Sequence, residues 1–316
     1  MTTYLVTGGA GFIGSHLCDA LVARGDSVRV LDDLSTGRRS NLPAAVTLIE
    51  GDVADPVTVA AAMDGVDGCF HLAAIASVEK GVTDWIGTHR TNLTGTVAVF
   101  DAIRRQGSRP ESRIPVVYAS SAAVYGNAAT MPIAETTPCR PLSAYGADKY
   151  GCELHAGVAS HVHAIPTTGL RFFNVYGPRQ DPGSPYSGVI SIFCQRIKAG
   201  APITIFGDGQ QTRDFIYVAD VVTALLGAMA RRPEGAAIFN VCTGIPTTVA
   251  SLGRLIAERA GKPFHAHAAP ARAGEIRHSI GLPAQCDAVL NLPERVPLRS
   301  GLDKVLAWMT GSAPRS

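Results

Sequence analysis

At 316 residues, with 46% hydrophobic and 17% charged residues, the chain can bury one large core or two interlocked ones and is no disordered polymer. A formal charge of +2 without a basic run argues against nucleic acid as a partner, and no apolar stretch reaches the roughly 18 residues of a membrane span. The seven cysteines are scattered and odd in number and the nine histidines form no metal set, so a cytoplasmic protein with reduced thiols and no metal is expected.

The N-terminus enters a strand at 4–6 directly, with no signal-peptide pattern. Next comes Thr7-Gly8-Gly9-Ala10-Gly11-Phe12-Ile13-Gly14, then an amphipathic helix over 13–24. A glycine loop between strand and helix lets the backbone turn tightly and approach a pyrophosphate, whose charge meets the helix N-terminus. The second strand, 27–31, runs into Leu31-Asp32-Asp33. Asp32 lies close to the spacing, about 20 residues past the loop, at which a carboxylate accepts both ribose hydroxyls. A carboxylate there repels a 2′-phosphate and favours NAD, while Arg38 and Arg39 keep NADP open. The third strand, 46–50, ends at Gly51-Asp52-Val53, where Asp52 can bond adenine or cap the helix at 56–63.

A strand at 68–71, a helix at 88–105 and a strand at 115–119 follow, the last running into Ser121. The helix at 145–160 opens on Tyr145-x-x-x-Lys149, which sets both side chains one turn apart on one face. An ammonium near a phenol stabilises the phenolate and makes it a useful base at neutral pH. Ser121, at a strand terminus, can hold the reacting oxygen. Strands joined by helices demand parallel pairing with helices on both faces, an α/β doubly wound (Rossmann) sheet with its ligand beyond the strands' carboxyl ends.

A strand at 167–170 closes this series; after Arg171 the rhythm loosens, and 176–188 holds three prolines and three glycines. A helix at 189–198, a strand at 204–206, a helix at 218–229 and a strand at 237–241 precede helices near 249–260 and 302–309. The expected division is a dinucleotide-binding domain over 1–173, with 212–242 returning to it. A smaller, discontinuous C-terminal lobe takes 174–211 and 243–316.

These motifs, with His71-Leu72-Ala73-Ala74, Asn92-x-x-Gly95-Thr96, Ser120-Ser121-Ala122-Ala123-Val124-Tyr125-Gly126, Arg171-Phe172-Phe173-Asn174 and Arg213-Asp214-Phe215, resemble the extended short-chain dehydrogenases/reductases. Asp32-Asp33-Leu34-Ser35-Thr36-Gly37, 184–191 and 274–279 are similar to segments of UDP-hexose 4-epimerases. The resemblance implies a tightly bound, recycled NAD held by Gly8, Gly11, Phe12, Ile13, Gly14, Asp32, Leu34, Ser35, Thr36, Gly37, Asp52, Val53, Leu72, Ala73, Ala74, Asn92, Tyr145, Lys149 and Phe172. It implies a UDP-sugar held by Ser121, Ala122, Tyr145, Asn174, Arg179, Gly188, Val189, Arg213, Arg272, Glu275 and Ser279, with Tyr145, Lys149 and Ser121 catalytic.

Arg213 and Arg272 suit a pyrophosphate. The small Ser279 leaves room for an N-acetyl group, so glucose/galactose substrates with or without one are open. UDP-glucuronate, its carboxylate on Arg179, is the alternative. Relatives that eliminate or decarboxylate carry an acid just after the Ser/Thr position, where this chain has Ala122 and Ala123, so those reactions rank lower. Other nucleotide-sugar oxidoreductases and a non-catalytic NAD-binding scaffold are the remaining readings. A homodimer through 88–105 and 145–160 is the family expectation.

Overall fold

The computed structural model describes residues 2–106, 114–184, 188–232, 235–271 and 276–311. Seven parallel strands form the main sheet: β1 (Thr3–Thr7), β2 (Ser27–Asp32), β3 (Thr47–Glu50), β4 (Gly68–His71), β5 (Val116–Ser121), β6 (Thr167–Phe172) and β10 (Ala236–Val241). Their order is β10-β6-β5-β4-β1-β2-β3. The chain therefore runs outward from β1 through β3, then returns to β4 on the other side of β1. That reversal opens a crevice above the carboxyl ends of β1 and β4, the ordinary ligand position in such sheets.

Alternate strand residues feed two cores because both faces of the sheet are covered. Tyr4, Val6, Val30, Phe70 and Val117 pack with Leu17 and Leu21 of α1 (Phe12–Ala23) and with Val221 and Leu225 of α8 (Val218–Arg231). Leu5, Leu31, Cys69 and Tyr118 face the other way. They meet Met63 of α2 (Pro56–Met63), Ile103 of α5 (Gly95–Arg105) and Ala156 of α6 (Ala144–His163). Helix 88–105 is observed as α4 (Trp85–His89), a π-helical stretch (Arg90–Thr94) and α5, with α3 (Val78–Thr83) just before.

A smaller lobe stands over the crevice. β9 (Thr212–Tyr217) pairs in parallel with β7 (Asn174–Tyr176) through its last residues. Its first residues pair with β11 (Pro246–Thr248) and β13 (His278–Ser279). α7 (Val189–Lys198), α9 (Val249–Ala260) and α11 (Leu298–Met309) share a third core with β8 (Ile203–Phe206), which pairs with β12 (Ala266–Ala269). Of the stretch 212–242, α8 and β10 lie with the large sheet and β9 with the smaller one. α10 (Ala284–Leu290), from the tail, sends Cys286 and Leu290 into the core of the large sheet. Among the described residues no helix is long and apolar enough to cross a membrane, and no group of His, Cys, Asp or Glu is arranged to hold a metal.

Candidate active site

The glycine loop is compressed against its neighbours. Gly8 has φ +70, and a Cβ there would lie 2.7 Å from the amide nitrogen of Ala73. One on Gly14 would lie 2.2 Å from the Gly8 carbonyl oxygen. Only glycine permits this path. α1 starts at Phe12 after Gly11, with no side chain capping it and no acid in its first turn, so its first amides remain available to an anion.

Asp32 closes β2 beside that loop. Its two oxygens accept the amides of Ala10 and Leu34, each at 2.9 Å. Burial pushes this carboxyl up, and those two amides pull it back. Each oxygen keeps a lone pair for a sugar hydroxyl. Arg38 lines the same cavity, and its guanidinium is paired with Asp181 from the other lobe. Arg39 pairs with Glu50 at 3.3 Å.

β5 and α6 bring the proposed reacting groups together. Ser121 ends β5 and caps the 3-10 turn Ala122–Tyr125, its Oγ accepting the Ala123 amide at 3.2 Å. Since that bond uses a lone pair, the hydroxyl proton is free to serve a substrate. Ser143 caps α6 through the Gly146 amide, which places Tyr145 in the first turn at the cavity. Lys149 is buried and donates to the Ala119 carbonyl at 2.9 Å. An ammonium has three donors, so two remain.

One cavity of about 720 Å³ collects these parts. It is lined by Gly8, Gly11, Phe12, Ile13, Gly14, Asp32, Ser35, Thr36, Val53, Leu72, Ala73, Ala74 and Phe172, and also by Ser121, Tyr145, Lys149, Asn174, Arg179 and Gly188. Among the described residues, the other expected ones do not line it. Leu34 and Gly37 belong to the loop whose Asp33, Ser35, Thr36 and Arg38 line the wall. Asp52 accepts the Ala54 amide at 2.8 Å and pairs with Arg90 at 2.6 Å. Asn92 is fully buried and clamps the backbone of Ile75 through both its amide atoms.

Ala122 lies in the 3-10 turn and Val189 begins α7. Arg213 and Ser279 face one another across the β9–β13 pairing. Arg272 and Glu275 lie outside the described residues. Sequence reasoning did not single out Lys80, Asp181 or Trp308, which also line the cavity. They come from a short helix, an irregular loop and the last helix, none carrying a motif that would have marked them.

Arg179 has φ +68 and an ion pair to Asp19 of α1 at 2.7 Å. Thus, among the described residues, the two arginines lining the cavity, Arg38 and Arg179, each already hold a carboxylate.

The model of the NAD dependent epimerase/dehydratase family matches residues 4–242. A UDP-glucose 4-epimerase of Mycolicibacterium smegmatis is 37% identical over 311 residues, covering 96% of this chain and 97% of its own. Among solved structures, a UDP-glucose 4-epimerase with UDP-glucose from Thermotoga maritima superposes with a TM-score of 0.92 at 34% identity, over 98% of this chain and 99% of that one. A UDP-glucose 4-epimerase of Thermus thermophilus in complex with NAD gives 0.89 at 34% identity, over 99% and 100%.

Proposed function

The chain belongs to the NAD dependent epimerase/dehydratase family, and on that premise we propose that it interconverts UDP-hexoses epimeric at C4, with NAD retained through each turnover. The observation that carries this reading is a single cavity shared by the glycine loop, Asp32, Ser121, Tyr145 and Lys149. The residues fit the cofactor: an uncapped α1 N-terminus beside the Gly8–Gly14 cradle for the pyrophosphate, and a buried carboxylate for the ribose. A 2′-phosphate there would meet the Asp32 carboxylate and an Arg38 already held by Asp181, which supports NAD over NADP.

When bound, NAD would supply a reversible hydride acceptor for C4, and inversion requires the hydride to return to the opposite face of the transient 4-ketone. Tyr145, as the phenolate, takes the proton of the 4-hydroxyl and later returns it. The Ser121 hydroxyl donates to the same oxygen, oriented by the Ala123 amide. Lys149 holds its place through Ala119 and offers its remaining donors to the nicotinamide ribose and the phenolate. Ala122 and Ala123 offer no second acid, so elimination lacks its proton shuttle.

Among the described residues both arginines of the cavity are already paired, so neither is left to hold a glucuronate's carboxylate, which supports an uncharged hexose. Ser279, small and opposite Arg213, is compatible with an N-acetyl group. The test is Tyr145→Phe: turnover falls by about 10³-fold or more while bound NAD stays at the parental level. A variant at near-parental rate contradicts the assignment of the base.

The active unit in this reading is a homodimer. α6 exposes Leu154, Val158 and Val162 at successive turns, beside exposed Trp85 and Ile86 of α4 and Val97 of α5. An apolar face on the helix that carries Tyr145 and Lys149 suits a self-complementary contact.

A further inference from the structure

Resting on the reading of Tyr145 as the base, we infer that Ser120 and Glu153 are positioning residues that hold the end of β5 against α6 and so fix Ser121 relative to the phenol. α6 sets Tyr145, Lys149 and Glu153 one turn apart on a single stripe. β5 ends in the consecutive residues Ala119, Ser120 and Ser121. Two bonds stitch stripe to strand. Lys149 donates to the Ala119 carbonyl at 2.9 Å, and the Ser120 hydroxyl donates to Glu153 Oε1 at 2.5 Å.

Glu153 is itself immobilised. Arg171 grips it in a fork, Nε to Oε1 at 2.8 Å and Nη2 to Oε2 at 2.7 Å, and both side chains are 6% exposed. Arg171 Nη1 donates to the Tyr125 hydroxyl at 2.7 Å and to the Glu135 carbonyl at 3.0 Å. Tyr125 in turn donates to Asn240 at 2.6 Å. The carboxylate is thereby tied to β6, to the turn after Ser121 and, through Tyr125, to β10, and it cannot follow a drifting strand end. A buried ion pair needs only its two members for charge balance. The third partner, Ser120, lines the cavity directly before Ser121. A reacting pair is sensitive to displacements of about 1 Å, so this third bond acts on alignment.

Ser120→Ala leaves the Glu153–Arg171 pair intact and removes only the stitch. In the full-length protein carrying its NAD, and with UDP-glucose or UDP-galactose as substrate, kcat is expected to fall about ten-fold with KM within about two-fold of the parent and NAD content unchanged. In a Tyr145→Phe background the same substitution is expected to add less than about two-fold, because it acts through the phenol. Glu153→Gln, which also breaks the Arg171 fork, should lower kcat further; if it does not fold, Ser120→Ala alone decides. An unchanged kcat, a rise in KM alone, or an undiminished loss in the Tyr145→Phe background overturns the inference. A parent that turns over no UDP-sugar overturns the functional reading, and this inference with it.

Discussion

His71 lies beneath the glycine loop between two threonines, Thr7 Oγ1 at 2.8 Å and Thr96 Oγ1 at 2.9 Å. The Thr7 oxygen already accepts the amides of Leu72 and Ala73, so its proton points to Nδ1. The ring then carries its proton on Nε2 and donates to Thr96, which passes its own proton to the Asn92 carbonyl at 2.6 Å. Burial, with the Lys149 ammonium nearby, holds this imidazole down to about 3. An unfolded imidazole titrates near 6.5, so between about pH 6.5 and 3 the unfolded state binds a proton that the folded state refuses. Stability from this residue is complete above about pH 6.5 and is lost as pH falls, by at most about 1.4 kcal/mol per unit. Urea unfolding of the parent and of His71→Gln at about pH 7.5 and pH 5 checks this. The parent should lose about 2 kcal/mol more than the variant on acidification, and equal losses contradict the neutral ring. At this scale the glycine loop, Asp32 and the Tyr145/Lys149 pair stood out by spacing taken together with the strands and helices around them, and the structure brings them to one cavity. Lys80 and Asp181 did not, since their presence at the cavity depends on how distant loops meet.

Asp214 joins elements that the large sheet does not. This fully buried carboxylate of β9 accepts the Thr243 amide at 2.8 Å, the Thr243 hydroxyl at 2.7 Å, the Gly244 amide at 2.8 Å and the Gly281 amide at 3.3 Å. It therefore binds the start of the smaller sheet to the loop after β10 and to the chain after β13. Asp214→Ala leaves those buried donors without an acceptor and should cost about 4 kcal/mol, read from urea unfolding; a loss below about 1 kcal/mol contradicts the role. The elements of the large sheet were legible because apolar runs alternate with helical periods. β9 was not, because Thr212–Tyr217 mixes charged and aromatic residues without alternation. β7, β11 and β13 are two or three residues long and show no period at all. Over 88–105 the apolar period was right. The π-helical stretch of Arg90–Thr94 depends on the turn-by-turn hydrogen bonding around Asn92, which composition does not reveal.

Among the described residues the molecule presents an apolar face that its own fold leaves uncovered, the stripe of Leu154, Val158 and Val162 with Trp85 and Ile86 beside it. In the proposed dimer Val158→Glu places a charge in an apolar contact, and light scattering should show the mass fall from twice the chain mass to 33.0 kDa. A parent already at the monomer mass contradicts the dimer. Because α6 carries both that face and the proposed base, the variant also tests whether assembly supports the site: a monomer with reduced turnover is expected. The lobe over the crevice, the shared cavity and the paired arginines all bear on one claim, that cofactor and sugar meet at Tyr145 and that the cofactor is not consumed. Incubating the purified protein with UDP-glucose or UDP-galactose, without added NAD, and resolving the epimers tests it most directly. Either sugar should approach the same equilibrium mixture with no net NADH absorbance. Unchanged sugars from active, NAD-loaded protein, or product formed only in step with added cofactor, contradict it.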